Sequence, residues 1–403
     1  MSKSPFEGVK VVDFTWLAAG PLMAAYLADF GAVVVKIESV NRPDPWRFFP
    51  PFKDNEAGMN RSVGFGYYNR NKYSATLNLS DPSGLEVAKR LVAWADVVLE
   101  SFTPGTMEKW ELTYNDLVKV KPDIIMLSTN MQGQTGPRAT IPGLGIQMAA
   151  LCGFSYLTGW PDREPLQPIA YTDSVAALFG AAAIIAALDY HRRTGKGQYL
   201  DLSQFETSLQ FLAPVFLDYN ANGREAVRAG NRCSYAAPHG VYRCKGDDRW
   251  CAVSVFSDDE WLNLCQAMGN PKWSQDTEFS TLRGRKQHEV ELDGLIEKWT
   301  TKCSAEDVMT RLQSAGVAAG VVENGEDLFN DPQMKYRGHF WTINHPEIGA
   351  YRCDAPPFRM SLTPAEARRH APCMGEHNDY VYTKLVGMSD KEFTELVEKG
   401  VIQ

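Results

Sequence analysis

The sequence predicts an α/β protein of two domains, and three observations carry that reading. A strand–helix–strand unit opens the chain over residues 9–38. Apolar runs of strand length then alternate with helical patterns to about residue 202. The pattern changes at Gly230, after which short strands and amphipathic helices define a second, smaller unit to about residue 330.

Taken in order, residues 9–14 form an apolar run bounded by Gly8 and Thr15, as a buried parallel strand requires. Pro21 starts a helix to Phe30, Gly31 ends it, and residues 32–38 make the second strand. Glu38 stands where dinucleotide folds place a ribose-binding acid. The intervening loop, Thr15-Trp16-Leu17-Ala18-Ala19-Gly20-Pro21, lacks the G-x-G-x-x-G spacing and carries Trp16 where backbone must approach a pyrophosphate. Nicotinamide binding is therefore not expected. Residues 41–66, rich in Pro, Phe, Asn and Gly, read as a long ordered loop of functional character. Strands are expected at 74–79, 95–100, 123–128 and 199–202, with helices at 82–94, 113–120 and 204–222. Asp81-Pro82 is a helix start. The turn Ser101-Phe102-Thr103-Pro104-Gly105 follows a strand at its carboxyl end, where open α/β sheets bind ligands. In the second unit, strands are expected at 240–243 and 249–255 and helices at 258–268, 284–300 and 305–315. From about Arg337 to Met360 the chain reads as irregular and aromatic, and this tail is expected to pack on the first domain or on a partner.

Composition narrows the function classes. With 403 residues, 44% apolar and 22% charged, the chain is an ordinary globular protein with room for a large core. A net charge of −8 excludes a global basic field for nucleic acid or anionic membrane. The eight cysteines form no C-x-x-C pair, and the seven histidines show no H-x-x-x-H spacing, so no metal is expected. The opening residues resemble no signal peptide, and the apolar run 175–188 is too short to span a bilayer. These features point to a reduced, cytoplasmic protein.

The stretch from Tyr171 to Gly180, running on to His191-Arg192-Arg193-Thr194-Gly195, places Asp173 at the mouth of a long apolar helix. Residues 175–188 carry no charge and are expected to be mostly buried. The residue pattern leaves two roles for Asp173. It is an N-cap, shared with Thr172, or it is a carboxylate at the edge of a dry helix bundle acting as a nucleophile.

Several strings bear on that choice. Val11-Val12-Asp13-Phe14-Thr15 with Ala19-Gly20-Pro21, then Lys36-Ile37-Glu38, Asn69-Arg70-Asn71-Lys72 and Phe102-Thr103-Pro104-Gly105 appear in order. They are followed by Gly133-Gln134-Thr135-Gly136-Pro137, Arg193-Thr194-Gly195-Lys196-Gly197-Gln198, Ala237-Pro238-His239-Gly240 and Gly375-Glu376-His377. Together they resemble the class III CoA-transferases, the formyl-CoA and carnitine CoA-transferase group, over nearly the whole chain. Pro50-Pro51-Phe52-Lys53-Asp54-Asn55 and Leu217-Asp218-Tyr219 resemble the benzylsuccinate CoA-transferase branch.

The resemblance implies a Rossmann-like large domain built from both chain ends and a smaller α/β domain, in a dimer of interlocked rings. Its boundaries fall at 1–229, 230–330 and 331–403, the last segment returning to the large domain. It implies that Asp173 is the catalytic aspartate, which takes an acyl group and then CoA, passing through an anhydride and an aspartyl-CoA thioester. Acyl-CoA and a carboxylic acid are then substrates, with succinyl-CoA the donor and an aromatic acid such as benzylsuccinate the acceptor. No permanently bound cofactor is expected. The CoA pocket falls on Leu17, Ala18, Lys72, Ser101, Phe102 and Lys109. The lysines would meet phosphates as point charges, and Phe102 would pack on adenine. Ser39 replaces an arginine common after the Lys-Ile-Glu strand, and Ser101 replaces an asparagine. Racemases of this fold pair the aspartate with a histidine in a Gly-His-Asp string. Here that place reads Gly143-Leu144-Gly145, so the second base of a proton exchange is missing. The partner is either a second copy or a paralogous subunit.

Overall fold

The computed structural model describes residues 4–167 and 169–403. Its first compact unit comprises Met1–Ser155, Gln167–Glu225 and Tyr336–Gln403. In chain order this unit begins with β1 (Lys10–Asp13), α1 (Ala19–Asp29), β2 (Val33–Glu38), α2 (Val63–Tyr68) and β3 (Tyr73–Thr76). There follow α3 (Pro82–Trp94), β4 (Val97–Glu100), α4 (Thr106–Lys109), α5 (Tyr114–Val120) and β5 (Ile125–Asn130). Then come α6 (Gly145–Leu151), α7 (Phe154–Leu157, whose last two residues fall in the second unit), α8 (Tyr171–Thr194), β6 (Tyr199–Ser203), α9 (Gln204–Leu209) and α10 (Ala213–Asn222). The six strands form one parallel sheet in the order β3-β2-β1-β4-β5-β6. That is the doubly wound order, whose carboxyl-end crevice lies where the order reverses, between β1 and β4.

Both faces of the sheet are covered, which is why its strands read as continuous apolar runs. Successive side chains point to opposite faces. Val12, Val35 and Val98 join Leu91 of α3 and Leu117 of α5 in one core. Val11, Val34 and Leu99 join Leu22 and Leu27 of α1 and Ile184 of α8 in the other. Gly180 lets α8 approach α1 closely, since a Cβ there would sit 2.0 Å from Met23 Cε.

Helix α8 departs from the sequence reading in two ways. Its N-cap is Ala170, with no side-chain cap bond, so neither Thr172 nor Asp173 caps it; Asp173 lies inside the first turn. Only one face is buried, through Val175, Ala176, Ala177, Gly180, Ala181, Ile184 and Ala187. Leu178, Phe179 and Ile185 face outward. The absence of charge over residues 175–188 predicts a mostly buried helix. By length and composition alone α8 is sufficient to cross a membrane; its inner face packs in the core.

Other differences are local. The 41–66 stretch is tightly turned and ends in α2, whose N-cap Ser62 accepts from Phe65 N–H. Strand β3 stops at Thr76, where Asn78 N–H turns to Val401 O at 2.9 Å. The expected helix at 204–222 breaks into α9 and α10 ahead of Pro214.

The second unit comprises Tyr156–Leu166 and Ala226–Lys335. It therefore takes in a segment that the sequence reading assigned to the large domain. Its elements are β7 (His239–Arg243), β8 (Trp250–Ser254), α11 (Asp258–Ala267), α12 (Leu282–Gln287), α13 (Glu289–Thr300), α14 (Ala305–Ser314) and β9 (Ala318–Val321). The antiparallel sheet β7-β8-β9 and the helices enclose a core of Val253, Trp261, Leu264, Ile296 and Leu312. The expected helix 284–300 divides at His288.

The tail belongs to the first unit from Tyr336 onward. Where irregular chain was expected, Phe340–His345 and Gly349–Asp354 form an antiparallel hairpin. Further on, Tyr382 donates from its hydroxyl to Thr76 O at 2.8 Å, and Asn378 Oδ1 accepts from Thr76 N–H at 2.8 Å. The tail thus closes the β3 edge of the sheet.

Candidate active site

The crevice at the carboxyl ends of β1 and β4 holds a cavity of about 350 Å³. Trp16, Leu17 and Ala18 line it from the loop after β1, and Trp46 and Phe49 from the turn after β2. Ser101 and Thr103 line it from the turn after β4, and Met131 from the segment after β5. Residues 141–146 and Asp173 complete the wall. Among the described lining residues, Asp173 is the one ionisable group. Burial alone pushes its carboxyl up to about 6, with no nearby cation to offset it.

Gly145, at the start of α6, stands against this carboxylate. A Cβ at 145 would lie 2.5 Å from Asp173 Oδ2 and 2.8 Å from Ala170 Cβ. Thr172 fixes the same junction by donating from Oγ1 to Gly145 O at 3.2 Å. Gly143, Leu144 and Gly145, the string expected to lack a histidine, make this part of the wall small and aliphatic.

The loop after β1 is held by buried charge. Thr15 N–H donates to Asp13 Oδ1 at 2.9 Å and Trp16 N–H to Ser101 Oγ at 2.9 Å. Leu17 has a left-handed backbone, φ 64°, a conformation strained for a branched side chain. Its N–H donates to Asp44 Oδ1 at 3.0 Å, the same oxygen that accepts Trp46 N–H at 3.0 Å. Asp44 therefore ties together two walls of the cavity. Lys36 neutralises it at 2.9 Å and also donates to Thr15 O at 2.8 Å. Burial opposes the charge on Lys36, but Asp44, Asp13 and Glu38 together raise its pKa. Glu38 pairs with Arg47 and accepts Asp44 N–H; burial notwithstanding, Arg47 holds its carboxyl low.

The sequence-expected CoA contacts divide into three groups. Leu17, Ala18 and Ser101 line the Asp173 cavity. Phe102 lines a neighbouring cavity of about 450 Å³ with Trp16, Ile37, Ser39, Arg42, Leu77 and Trp110, and it meets Trp16 and Trp110 edge-on. Lys72 and Lys109 line neither cavity. Lys72 corrects the expectation of a phosphate-binding point charge. It is fully buried, and its ammonium donates to Asp13 Oδ2 at 2.8 Å, Pro21 O at 2.9 Å and Asn69 Oδ1 at 2.9 Å. Burial pulls it down to about 8, with Asp13 working in the opposite direction. Lys109 is exposed at the end of α4.

Trp16 and Phe49 line the cavity. Phe48 is exposed, and Tyr67 donates to Asp354 Oδ2 at 3.2 Å. Asp44, Trp46, Met131 and Gly145 were not anticipated. The one available signal was Gly145, in the string read only for its missing histidine.

A parallel sheet with a carboxyl-end cavity, lined mainly by apolar side chains around one carboxylate that has no cation beside it among the described residues, defines a class of site suited to acyl transfer. The family model for CoA-transferase family III matches residues 6–378, and the chain belongs to that family. The succinyl-CoA–D-citramalate CoA-transferase of Chloroflexus aurantiacus is 33% identical over 399 residues, 99% of this chain and 98% of that one. The beta subunit of succinyl-CoA–L-malate CoA-transferase from the same organism is 30% identical, over 99% of this chain and 98% of that one. The crystal structure of a CAIB/BAIF family protein from Brucella suis superposes with a TM-score of 0.87 at 31% identity, covering 95% of this chain and 100% of that one. The protein is a family III CoA-transferase.

Proposed function

We propose that the protein moves CoA from succinyl-CoA to a carboxylic acid with an apolar, aromatic body such as benzylsuccinate, and that Asp173 carries the acyl group and then the CoA. The observation that carries this reading is the Asp173 carboxylate, unpaired with any cation among the described residues in a largely apolar cavity, where its lone pairs stay free for attack. The named activities of the relatives support succinyl-CoA as donor. Trp16, Trp46, Phe49 and Met131 support an apolar acceptor.

Asp173 Oδ attacks the thioester carbonyl carbon. The C–S bond breaks, giving a succinyl–aspartyl anhydride and CoA thiolate. The thiolate attacks Asp173 Cγ, succinate leaves, and an aspartyl-CoA thioester remains. The acceptor carboxylate attacks Cγ and expels the thiolate, forming a second anhydride. The thiolate then attacks the acceptor's acyl carbon and frees Asp173. Each step exchanges one activated acyl bond for another. The Phe102 cavity, of suitable size and flanked by Arg42, is the proposed seat of the adenosine end of CoA. Leu17, Ala18 and Ser101 are proposed to face the thioester end.

The exposed apolar side chains Leu178, Phe179 and Ile185 of α8, with Phe211 ahead of α10 and Phe216 and Leu217 on it, support a partner subunit. We propose an interlocked homodimer; a paired paralogue is the second reading, favoured by the subunit composition of the malate relative. The eight cysteines are unpaired, in keeping with a reducing cytoplasm. The test is a panel of CoA thioesters and free acids scored for ping-pong exchange, with light scattering on the protein purified alone. Exchange of succinyl-CoA with an aromatic acid by a dimer of one chain is the expected result. Exchange confined to small hydroxy acids would overturn the acceptor assignment, and activity only after adding a second chain would overturn the homodimer.

A further inference from the structure

Three cavities meet at the turn after β4. Ser101 and Thr103 line the Asp173 cavity, and Phe102 and Thr103 line the neighbouring one. Thr103 and Glu100 line a third, of about 470 Å³, with Ser128, Gln134 and Tyr199. Glu100, the last residue of β4, is 2% exposed. Its Oε2 accepts Phe102 N–H at 2.7 Å, and its Oε1 accepts Gln134 Nε2–H at 3.3 Å. Gln134 in turn donates its N–H to the Asp201 carboxylate at 2.9 and 3.1 Å. On the other side, Ser101 Oγ accepts Trp16 N–H. Hydrogen bonds therefore run across the carboxyl edge of the sheet from the β1 loop to β6, and Glu100 is the node between the β4 turn and the β5 loop.

We propose that Glu100 is a positioning residue: its carboxylate sets the turn 101–103 that divides the two CoA cavities, and its charge state tunes how tightly the thioester is held. The inference rests on reading these cavities as the CoA site. An ionised carboxylate accepts at both oxygens, whereas a protonated one turns one oxygen into a donor and gives up a tether. The titratable groups facing it are Glu108 on α4, Tyr114 on α5, and Tyr199 and Asp201 on β6. Burial, with the Glu108 and Asp201 charges adding to it, pushes Glu100 up to about 7, while Ser128 and Phe102 N–H pull it back. The tethers therefore tighten as pH rises through neutrality.

Glu100→Gln keeps the shape and an acceptor for Phe102 N–H but removes the charge, and Gln134 can turn its amide to accept from the new NH₂. The experiment measures KM for succinyl-CoA, and Kd for free CoA by calorimetry, from about pH 5.5 to about pH 8.5 in the parent, Glu100→Gln and Glu100→Ala proteins. The expected result is that both constants rise about three- to tenfold in the parent as pH falls through 7, one hydrogen bond's contribution, beyond any change seen in Glu100→Gln. Titration of CoA's own phosphate is common to both proteins and cancels in the comparison. Glu100→Ala should bind weakly at every pH. Parallel pH profiles for parent and Glu100→Gln would overturn the inference. A parent that transfers no CoA yet shows the difference in Kd would overturn the proposed function and leave Glu100 in its role.

Discussion

Asp13 is fully buried at the end of β1 and Asp173 half-buried in the first turn of α8, and the electrostatic difference between them is a cation. Asp13 has Lys72 at 2.8 Å and accepts Thr15 N–H at 2.9 Å. Burial works against its charge, but Lys72 and Lys36 outweigh it and hold the carboxyl below its ordinary value. Asp173 has an apolar cavity and burial alone, and rises to about 6. The same side chain is thus a structural anion when a cation shares its burial, and the proposed nucleophile is the one that has none. Exchanging those surroundings, or removing either group, tests the contrast.

The largest effect is expected at Asp173. Asp173→Asn keeps the side chain's shape and removes the nucleophilic charge, so kcat for CoA exchange should fall by about 10⁴-fold or more, read in a steady-state assay. Its fold should not suffer. The raised carboxyl means that folded protein loses stability as pH rises from 3.8, where the unfolded chain ionises, to about 6. Above that pH the melting temperature of Asp173→Asn should equal or exceed the parent's.

Asp13→Asn should act in the opposite sense. It strips the counter-charge from a fully buried Lys72 and should cost about 3–5 kcal/mol of stability, read from urea unfolding midpoints. Gly145→Ala should lie between the two. A methyl group 2.5 Å from Asp173 Oδ2 must displace the carboxylate, and a misplaced nucleophile should lower kcat by about 10²-fold with little change in thermal midpoint. The smallest effect is the pH profile of the parent. The proposed mechanism needs Asp173 ionised, so kcat/KM should fall about tenfold per unit below an acid limb near 6, a limb that is expected to survive in Glu100→Gln.

The sheet was legible in the sequence because strands buried on both faces are written as apolar runs, as in Val11-Val12 of β1 and Val97-Val98-Leu99 of β4. The tail hairpin was not, since Phe340–His345 alternates exposed and buried positions among prolines and aromatics. Helix α8 was legible as a helix but its outward face was not, because exposed and buried apolar residues have the same composition. Asp173 stood out only through family motifs, since spacing alone also allowed a cap. Lys72 was misplaced for a related reason: its partner Asp13 lies 59 positions away, and nothing local marks a lysine as interior. Asp44 and Gly145 went unnoticed because one acts through the backbone of Leu17 and Trp46 and the other through the side chain it lacks.

The most direct measurement is chemical capture of the covalent enzyme. The protein is incubated with succinyl-CoA in the absence of an acceptor, quenched with hydroxylamine, digested and mapped by mass spectrometry, with Asp173→Asn in parallel. A hydroxamate at residue 173 in the parent alone is the expected result. An unmodified Asp173 in protein that still exchanges CoA would contradict the account.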